Sequence, residues 1–530
     1  MESQVKDMAY TSLGRGDQGS LLINVLLPER PSLTKLTCEV FTIEESSHTQ
    51  TVEFKDEIVR LYHFHFYGLK SGTTYSYRFL DGETEIDLGE GLLAEDLFFT
   101  YHKSIEGSGE AVLMSCNGLF DFKGPEKHRY RMWDRLWDAS QKVKPKMLIL
   151  GGDQYYQDKI EAEWLSKLDA KNFEASYIPC KRASLANALR HMAHPSYRKL
   201  MAQIPSMAML DDHDITDGTG GRSESFDGNE FKTEWKNFIR IQKELFELLQ
   251  ASRNPTPVSA YSFIQDLGAS AVVALDMRTE KNATKKILMK EESQQKLFAA
   301  IRDLPHKNVH ILLPVVPIRN SIKFEGLLRV AIQIAAGIAS IKAIQDKYPQ
   351  VIEGLKHLTG SSDDLDDSLI SEVNKEFFVE LIKLMAEGSK RGVKYSFLSG
   401  DIHTGGVTEI YATVDDHRFH VPLIISSPIG YEPMPWFVEV VLREKNQMEF
   451  EHGGVNLKVV NGRFATKRNF MILRLNQLFT HPSDSVFIFE EAVEGARKLS
   501  TKEWLLDGIS EDLDTDKKPI QPNKHLENNL

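Results

Sequence analysis

The stretch KMLILGGDQYYQD, residues 146–158, joins a short apolar run to a glycine turn and acidic side chains. Residues 147–150 are all apolar, which predicts a buried strand in a sheet that is covered on both faces. Asp153 follows directly, beyond the carboxyl end of that strand, where ligands gather in open α/β sheets. The stretch therefore predicts an α/β fold with chemistry at a strand end.

Similar apolar runs recur from about Gly109 onward, and longer helix-like segments such as residues 232–250 separate several of them. Strands that alternate with helices predict a sheet between helical layers. Four of the runs end in side chains that can bind metals. These four clusters are Ser115-Cys116-Asn117, Gly152-Asp153, Asp211-Asp212-His213-Asp214 and Gly400-Asp401-Ile402-His403.

The first hundred residues have a different pattern, with short alternating runs between Gly, Pro, Ser and Asp. This pattern is typical of an all-β sandwich, and LKSGTTYSYRF is similar to the end of fibronectin type III domains. A hairpin extension of the main sheet is the alternative. We predict a β-sandwich domain over residues 1–105, a main α/β domain over 106–507 and a polar tail over 508–530.

Residues 321–390 are predicted to be mainly helical and to form an insertion, which could cap the site or offer a surface for a partner. Within it, residues 327–344 read LLRVAIQIAAGIASIKAI. Arg329, Gln333 and Lys342 interrupt this apolar run, so a buried or cap helix is favoured over contact with a membrane.

The formal charge of −12 disfavours nucleic acid as a general partner, because surfaces that bind the nucleic-acid backbone are rich in Lys and Arg. It leaves an anionic substrate open, since metal ions can supply local positive charge. Cys38, Cys116 and Cys180 form no C-x-x-C pair. With no secretory signal visible at the N-terminus, the expected location is the cytoplasm.

Each cluster has a chemistry of its own. Asp153 carries two oxygens and can bridge two cations, while a phenolate from Tyr156 suits a trivalent metal. Asp212 can bind a divalent cation, and the neighbouring His213 can stabilise a transition state or protonate a leaving oxygen. Each string alone also fits a surface turn or a helix cap.

The other two clusters lie further apart along the chain. Asp401 and His403 alternate between flanking glycines and can project to one side as metal ligands. Cys116 follows a buried strand, where a lone cysteine is normally a small apolar residue, but a nearby cation would favour its thiolate.

Taken in order, SCNG, GGDQYYQD, DDHD, LDMR and LSGDIH resemble the alkaline phosphatase D (PhoD-like) branch of the calcineurin-like metallophosphoesterases. The matching strings run from about Glu110 to Ser427. The resemblance implies a four-layer α/β/β/α sandwich, often with an N-terminal immunoglobulin- or fibronectin III-like β-sandwich. It also implies a dinuclear centre that hydrolyses phosphate esters by activating water for in-line attack.

Carried over to this chain, the resemblance implies an iron(III) site formed by Cys116, Asp153, Tyr156 and His403. Asp153 would bridge to a second site with Asp212 and Asp401, expected to hold calcium, with zinc or manganese as alternative metals. His213 would face the substrate. The candidate phosphate-binding residues are Arg129, Arg131, Arg222 and Arg278, of which we favour Arg129 and Arg278.

The wider superfamily has Asp-x-His where this chain has Ser115-Cys116-Asn117, so the narrower branch fits better. A further His-bearing motif has no clear counterpart near residues 311–320, which predicts a weakly held second metal. The alternatives are a phosphodiesterase or phospholipid-directed hydrolase on the same site, a mononuclear zinc enzyme, and a binding protein on a decayed fold.

Overall fold

The computed structural model describes most of the chain. The described residues are 9–28, 36–42, 48–50, 53–55, 58–89, 91–105, 110–169, 171–220, 233–282, 285–315, 368–401, 403–433, 447–478, 486–491 and 500–505.

The N-terminal region is an all-β sandwich of two sheets. One sheet of the sandwich has the order β1-β2-β6-β5, and the other has the order β4-β3-β7-β8, with β9 also paired to β7. Apolar side chains alternate along these strands and meet between the sheets, for example Ile23, Phe64 and Phe79. The strands are β1 (Tyr10–Arg15), β2 (Leu21–Pro28), β3 (Leu36–Phe41), β4 (His48–Gln50), β5 (Glu53–Lys55), β6 (Val59–Phe66), β7 (Thr73–Asp81), β8 (Thr84–Glu85) and β9 (Phe98–Tyr101).

The remaining strands form two larger sheets. We call the sheet with the order β12-β11-β10-β21-β22-β23 the first sheet and the sheet with the order β13-β14-β15-β16-β18-β17-β20-β19 the second sheet. Their bounds are β10 (Glu110–Met114), β11 (Met147–Leu150), β12 (Ser206–Ala208), β13 (Phe263–Asp266), β14 (Ser270–Ala274), β15 (Asn308–Leu313), β16 (Lys394–Ser399), β17 (Gly405–Val414), β18 (His417–Ile425), β19 (Gln447–His452), β20 (Val455–Ala465), β21 (Asn469–Arg474), β22 (Val486–Glu491) and β23 (Ser500–Leu505).

Helices cover the outer faces of both sheets. They are α1 (Arg131–Val143), α2 (Asp158–Trp164), α3 (Phe173–Met192), α4 (Pro195–Gln203), α5 (Thr233–Leu249), α6 (Glu291–Arg302) and α7 (Lys375–Lys390). One core joins the first sheet to α1, α3, α4 and α5, a second joins the other sheet to α6 and α7, and a third lies between the sheets. This arrangement is the predicted α/β/β/α sandwich, preceded by the predicted β-sandwich region.

The expected insertion needs one correction. Helix α7 falls within residues 321–390, yet Phe378, Leu381 and Met385 are buried in the core of the second sheet. That part of the segment belongs to the helical layer because its apolar face packs on strands, and it is no cap. Residues 316–367, including the apolar stretch 327–344, and the tail 508–530 lie outside the described residues. Among the described helices, none has the length and hydropathy needed to cross a bilayer.

Candidate metal centre

The two sheets bring four loops to one edge. Strands β10, β11 and β12 run parallel, with Met114 opposite Leu150 and Leu150 opposite Ala208. Their carboxyl ends therefore lie side by side, and the loops that follow carry Cys116, Asp153 and Asp212. The second sheet contributes the loop after β16, which carries Asp401 and His403. Parallel pairing within the first sheet and the loop from the second sheet thus collect residues that are almost 300 positions apart.

Four of the predicted ligands meet in a buried group. Sγ of Cys116 lies 3.5 Å from Oδ2 of Asp153, and the same carboxylate oxygen lies 3.2 Å from the hydroxyl of Tyr156. That hydroxyl lies 3.3 Å from Nε2 of His403. A thiol, a carboxylate, a phenol and an imidazole therefore converge from three loops, those that follow β10, β11 and β16.

The backbone is strained at these positions. Cys116, Asp153, Asp401 and His403 have φ angles of 55°, 56°, 72° and 48°. Side chains other than glycine rarely adopt this left-handed region, and strain of this kind clusters at functional sites. Four separate predicted ligands share the feature, so the loops are shaped to aim side chains inward.

Asp153 also faces a second group. Asp153, Asp212 and His213 each offer a ligand atom, and these atoms all lie within 4.8 Å of one another. Oδ1 of Asp153 accepts a hydrogen bond from the backbone N–H of His213 at 3.2 Å, while Oδ2 faces Cys116 and Tyr156. One carboxylate therefore contacts both groups, as a residue shared by two cations would.

His213 is held by a carboxylate that the sequence analysis did not single out. Its Nδ1 lies 3.1 and 3.0 Å from the two oxygens of Asp158, and its ring stacks on Tyr156 with centroids 4.1 Å apart. Burial opposes the charged form of His213, but Asp158, Asp212 and Asp153 outweigh it and raise its pKa well above the usual range. The imidazole is thus fixed in orientation and favoured as a proton donor.

Asp214 joins two of the loops through their backbone. Its carboxylate accepts hydrogen bonds from the N–H groups of Asp153, Gln154 and Asp211 at 2.9–3.1 Å and from Nε2 of Gln250 at 2.8 Å. These bonds offset the strain at Asp153 by satisfying its buried donors. The sequence analysis quoted Asp214 within DDHD but assigned it no role.

The acidic groups of the site raise one another's pKa values. Burial is the main cause that raises the pKa of Asp153, and Asp212, Asp214 and Asp401 raise it further. Burial likewise raises the pKa values of Cys116 and Tyr156, with Asp153 adding to each. A bound cation reverses such shifts, since positive charge favours carboxylate, thiolate and phenolate. This set of donors therefore fits metal ions.

Asp401 contacts the group through its main chain. Its carbonyl oxygen lies 3.4 Å from Sγ of Cys116 and accepts the backbone N–H of His403 at 2.6 Å. Its carboxylate is close enough to raise the pKa of Cys116 and of Asp153. The structure therefore places Asp401 beside the centre.

Both favoured arginines contact acidic side chains of the protein. Arg278 is buried against acidic side chains, with Nε 2.7 Å from Oδ1 of Asp211 and an Nη 3.4 Å from Oδ1 of Asp212. It orients these carboxylates, and its role in phosphate binding stays a prediction. Arg129 contacts Glu126 at 3.4 Å and lies over the ring of Phe120, next to the centre rather than in it. Arg222 falls outside the described residues.

Two further residues complete the site. The ring of Tyr431 stacks on Tyr156 at 4.9 Å and lies 4.3 Å from the ring of His403. The hydroxyl of Ser427 lies 3.0 Å from Sγ of Cys116. Both follow β18, and nothing in the string SSPIGYEP marks them as site residues. Gly118 makes the stack possible, because a Cβ there would meet Cδ2 of Tyr431 at 2.2 Å.

Comparison with known proteins shows similarity to a phosphatase family and a shared fold. Residues 129–355 match the sequence model of the family described as PhoD related phosphatase. This range includes Asp153, Tyr156, Asp212 and His213, while Cys116 and His403 lie outside it. The chain is 24% identical over 383 residues to an uncharacterized protein of Saccharomyces cerevisiae, YGR266W. The match covers 60% of the chain but 52% of the yeast protein, so the chain spans about half of that relative's length.

Among solved structures, a structure of PhoD superposes with a TM-score of 0.55 and 12% identity, covering 95% of the chain and 91% of that structure. The purple acid phosphatase PPD1 from Lupinus luteus has a TM-score of 0.49 and 10% identity, covering 93% of the chain and 74% of that structure. The family match, together with the shared fold of PhoD, confirms the predicted resemblance to the PhoD-like branch.

Proposed function

We propose that this PhoD-like chain is a metal-dependent phosphoric ester hydrolase with a dinuclear centre. The observation that supports this most is the meeting of Cys116, Asp153, Tyr156 and His403, whose ligand-type atoms form contacts of 3.2–3.5 Å. Four residue types that bind metals, drawn from three distant loops on strained backbone, have few structural explanations.

The donors divide into two kinds. Thiolate, phenolate and imidazole from Cys116, Tyr156 and His403 suit a transition metal, and a trivalent ion such as iron fits the phenolate best. Carboxylates from Asp212 and Asp401 suit a hard cation such as calcium. Asp153 faces both groups and is the proposed bridge. When bound, the two ions would polarise the phosphoryl group and lower the pKa of a water nucleophile.

The protein's own part in the proposed reaction is proton transfer and orientation. Asp158 fixes Nδ1 of His213, which leaves Nε2 as the ring nitrogen that can donate a proton to the leaving oxygen. The rings of Tyr156 and Tyr431 stack beside it and exclude water from one side of the imidazole. Arg278 holds Asp211 and Asp212 in place through ion pairs.

The test is hydrolysis by the purified full-length chain. We expect it to release p-nitrophenol from p-nitrophenyl phosphate, to lose this activity on chelation and to regain it when iron and calcium are restored. Parallel assays with the bis-ester distinguish a monoesterase from a diesterase. Inertness toward both esters with metal loaded would contradict the proposal and would favour a binding protein on this fold.

A further inference from the structure

A cluster of cations surrounds Phe120 at the edge of the candidate centre. The guanidinium carbon of Arg190 lies 4.2 Å from the centroid of its ring, and that of Arg129 lies 4.9 Å away. Nζ of Lys159 donates to the carbonyl of Phe120 at 3.3 Å. We call Arg129, Lys159 and Arg190 the Phe120 cluster. Its three positive charges stand out in a chain whose formal charge is −12.

Short stretches of chain tie this cluster to the centre. Phe120 lies four residues after Cys116, and Gly118 between them packs on both Tyr156 and Tyr431. On the other side, Lys159 directly follows Asp158, whose carboxylate holds His213. The loop that follows β10 and the start of α2 therefore each carry residues of both the cluster and the centre.

The cluster is built in a fixed geometry. A buried imidazole, His191, packs edge-on against Phe120 with centroids 4.8 Å apart. Buried Arg468 donates to the carbonyls of His128 and Arg129 at 2.8 and 3.0 Å, which anchors the backbone at Arg129. Cation–π contacts hold the guanidinium groups of Arg129 and Arg190 over the ring. Exposed Lys159 contributes an ammonium beside them.

Two of the three cations have acidic partners. Oδ1 of Asp121 lies 2.5 Å from Nζ of Lys159, and the exposed side chain of Glu126 lies 3.4 Å from an Nη of Arg129. Like charges held close together repel, and a polyanionic group relieves that repulsion by binding between them. A phosphate group has the charge and the acceptor oxygens to bind several cations at once.

We infer that the Phe120 cluster binds a second phosphate group, carried by the leaving group of the ester whose first phosphate is hydrolysed at Asp153. The inference rests on the proposed function and narrows its substrate class to esters that carry two phosphates. It also gives Arg129 a role as an anion ligand away from the centre. The first phosphate reacts, and the second fixes the orientation of the leaving group.

The experiment compares matched substrates with the purified full-length chain. Straight alkanediols of different lengths, as monophosphates and as bisphosphates, supply the same leaving group with and without the second charge. We expect kcat/KM for phosphate release to favour the bisphosphate at least about 10-fold at the best length, beyond the statistical factor of about two. The gain should come mainly from a lower KM.

Variants then locate the effect. Lys159→Gln/Arg190→Gln should reduce the preference to the statistical factor, and Lys159→Glu alone should lower it, since Lys159 is exposed and tolerates the change. The controls are Lys167→Gln and Arg240→Gln, whose cations also lie over aromatic rings, those of Trp164 and Tyr177. Both controls should keep the preference.

The outcomes separate the two proposals. Equal use of monophosphates and bisphosphates, or a preference that survives in the double variant, would overturn this inference while leaving the hydrolase in place. Failure to hydrolyse every ester, including p-nitrophenyl phosphate, would remove the proposed function and the inference with it.

Discussion

The hydroxyl oxygen of Tyr156 lies 3.3 Å from Nε2 of His403, although 247 positions separate the two residues. Tyr156 follows a strand of the first sheet, and His403 follows a strand of the second. The contact therefore joins the two sheets at their carboxyl edges. The same hydroxyl lies 3.2 Å from Asp153, which makes Tyr156 the link between the two predicted ligands.

Removing either partner of this link should remove metal and activity together. Asp153→Asn and His403→Ala are each expected to lower metal content and to reduce phosphate ester hydrolysis at least about 100-fold, because each deletes a direct ligand. Elemental analysis and turnover of the same preparations measure both effects. Asp416→Asn is the matched control, since Asp416 is exposed and has a φ of 63° away from the site. Full metal content in both site variants would contradict the ligand assignment.

His213 should behave differently from the ligands. His213→Ala is expected to leave metal bound and to slow turnover by roughly 10²–10⁴-fold, because a general acid is lost. Asp158→Asn, which removes the negative charge beside Nδ1 but keeps an acceptor oxygen, should cost less, about 10-fold, again without loss of metal. Loss of metal in His213→Ala would instead make this imidazole a ligand, as its position beside Asp153 and Asp212 also permits.

The buried carboxylate of Asp214 should support the fold of the site loops. Asp214→Asn would place an amide N–H₂ among four N–H donors, so we expect the free energy of unfolding to fall by about 2–4 kcal/mol. Denaturant unfolding measures it. Asp169→Asn is the control, because partly exposed Asp169 also accepts backbone N–H groups at 2.8–3.0 Å but these donors can turn to water. Equal effects of the two substitutions would contradict this role.

Two buried histidines should make the protein sensitive to acid. Burial lowers the pKa of both His191 and His310 to about 3. Below pH 6.5 the unfolded chain binds protons at these residues and the folded chain does not, so stability falls as pH decreases toward 3. Each histidine contributes about 1.4 kcal/mol per pH unit in that window. His310→Gln should therefore lose about 2–3 kcal/mol less than wild type between pH 6.5 and 4.5 in urea titrations. Parallel curves for the two proteins would show that His310 is protonated in the folded state.

The sequence was sufficient for the sandwich and for the place of the site, because apolar runs mark buried strands and parallel strands end at one edge. It predicted Cys116 and His403 as candidate ligands, because polar side chains stood out after such runs. It missed Asp158, which lies inside GGDQYYQD yet is distinguished from its neighbours only by facing His213. The sequence did not indicate Tyr431 as a site residue, because ring stacking leaves no local sequence pattern.

Arg278 shows the limit of reasoning from residue type. A guanidinium near a phosphate site suits anion binding, but here it is buried between Asp211 and Asp212, and burial requires charges to be paired. Helix α7 shows the same limit for domain boundaries. Its apolar face fits a cap as well as a core helix, and the contact with the second sheet decides between them.

Metal content and the visible spectrum of the purified protein test the central claim most directly. The account predicts about two ions per chain, one of them iron, and a visible charge-transfer band that disappears in Tyr156→Phe because the phenolate binds the metal. A colourless protein that contains no metal, and that takes up none when iron and calcium are supplied, would contradict it.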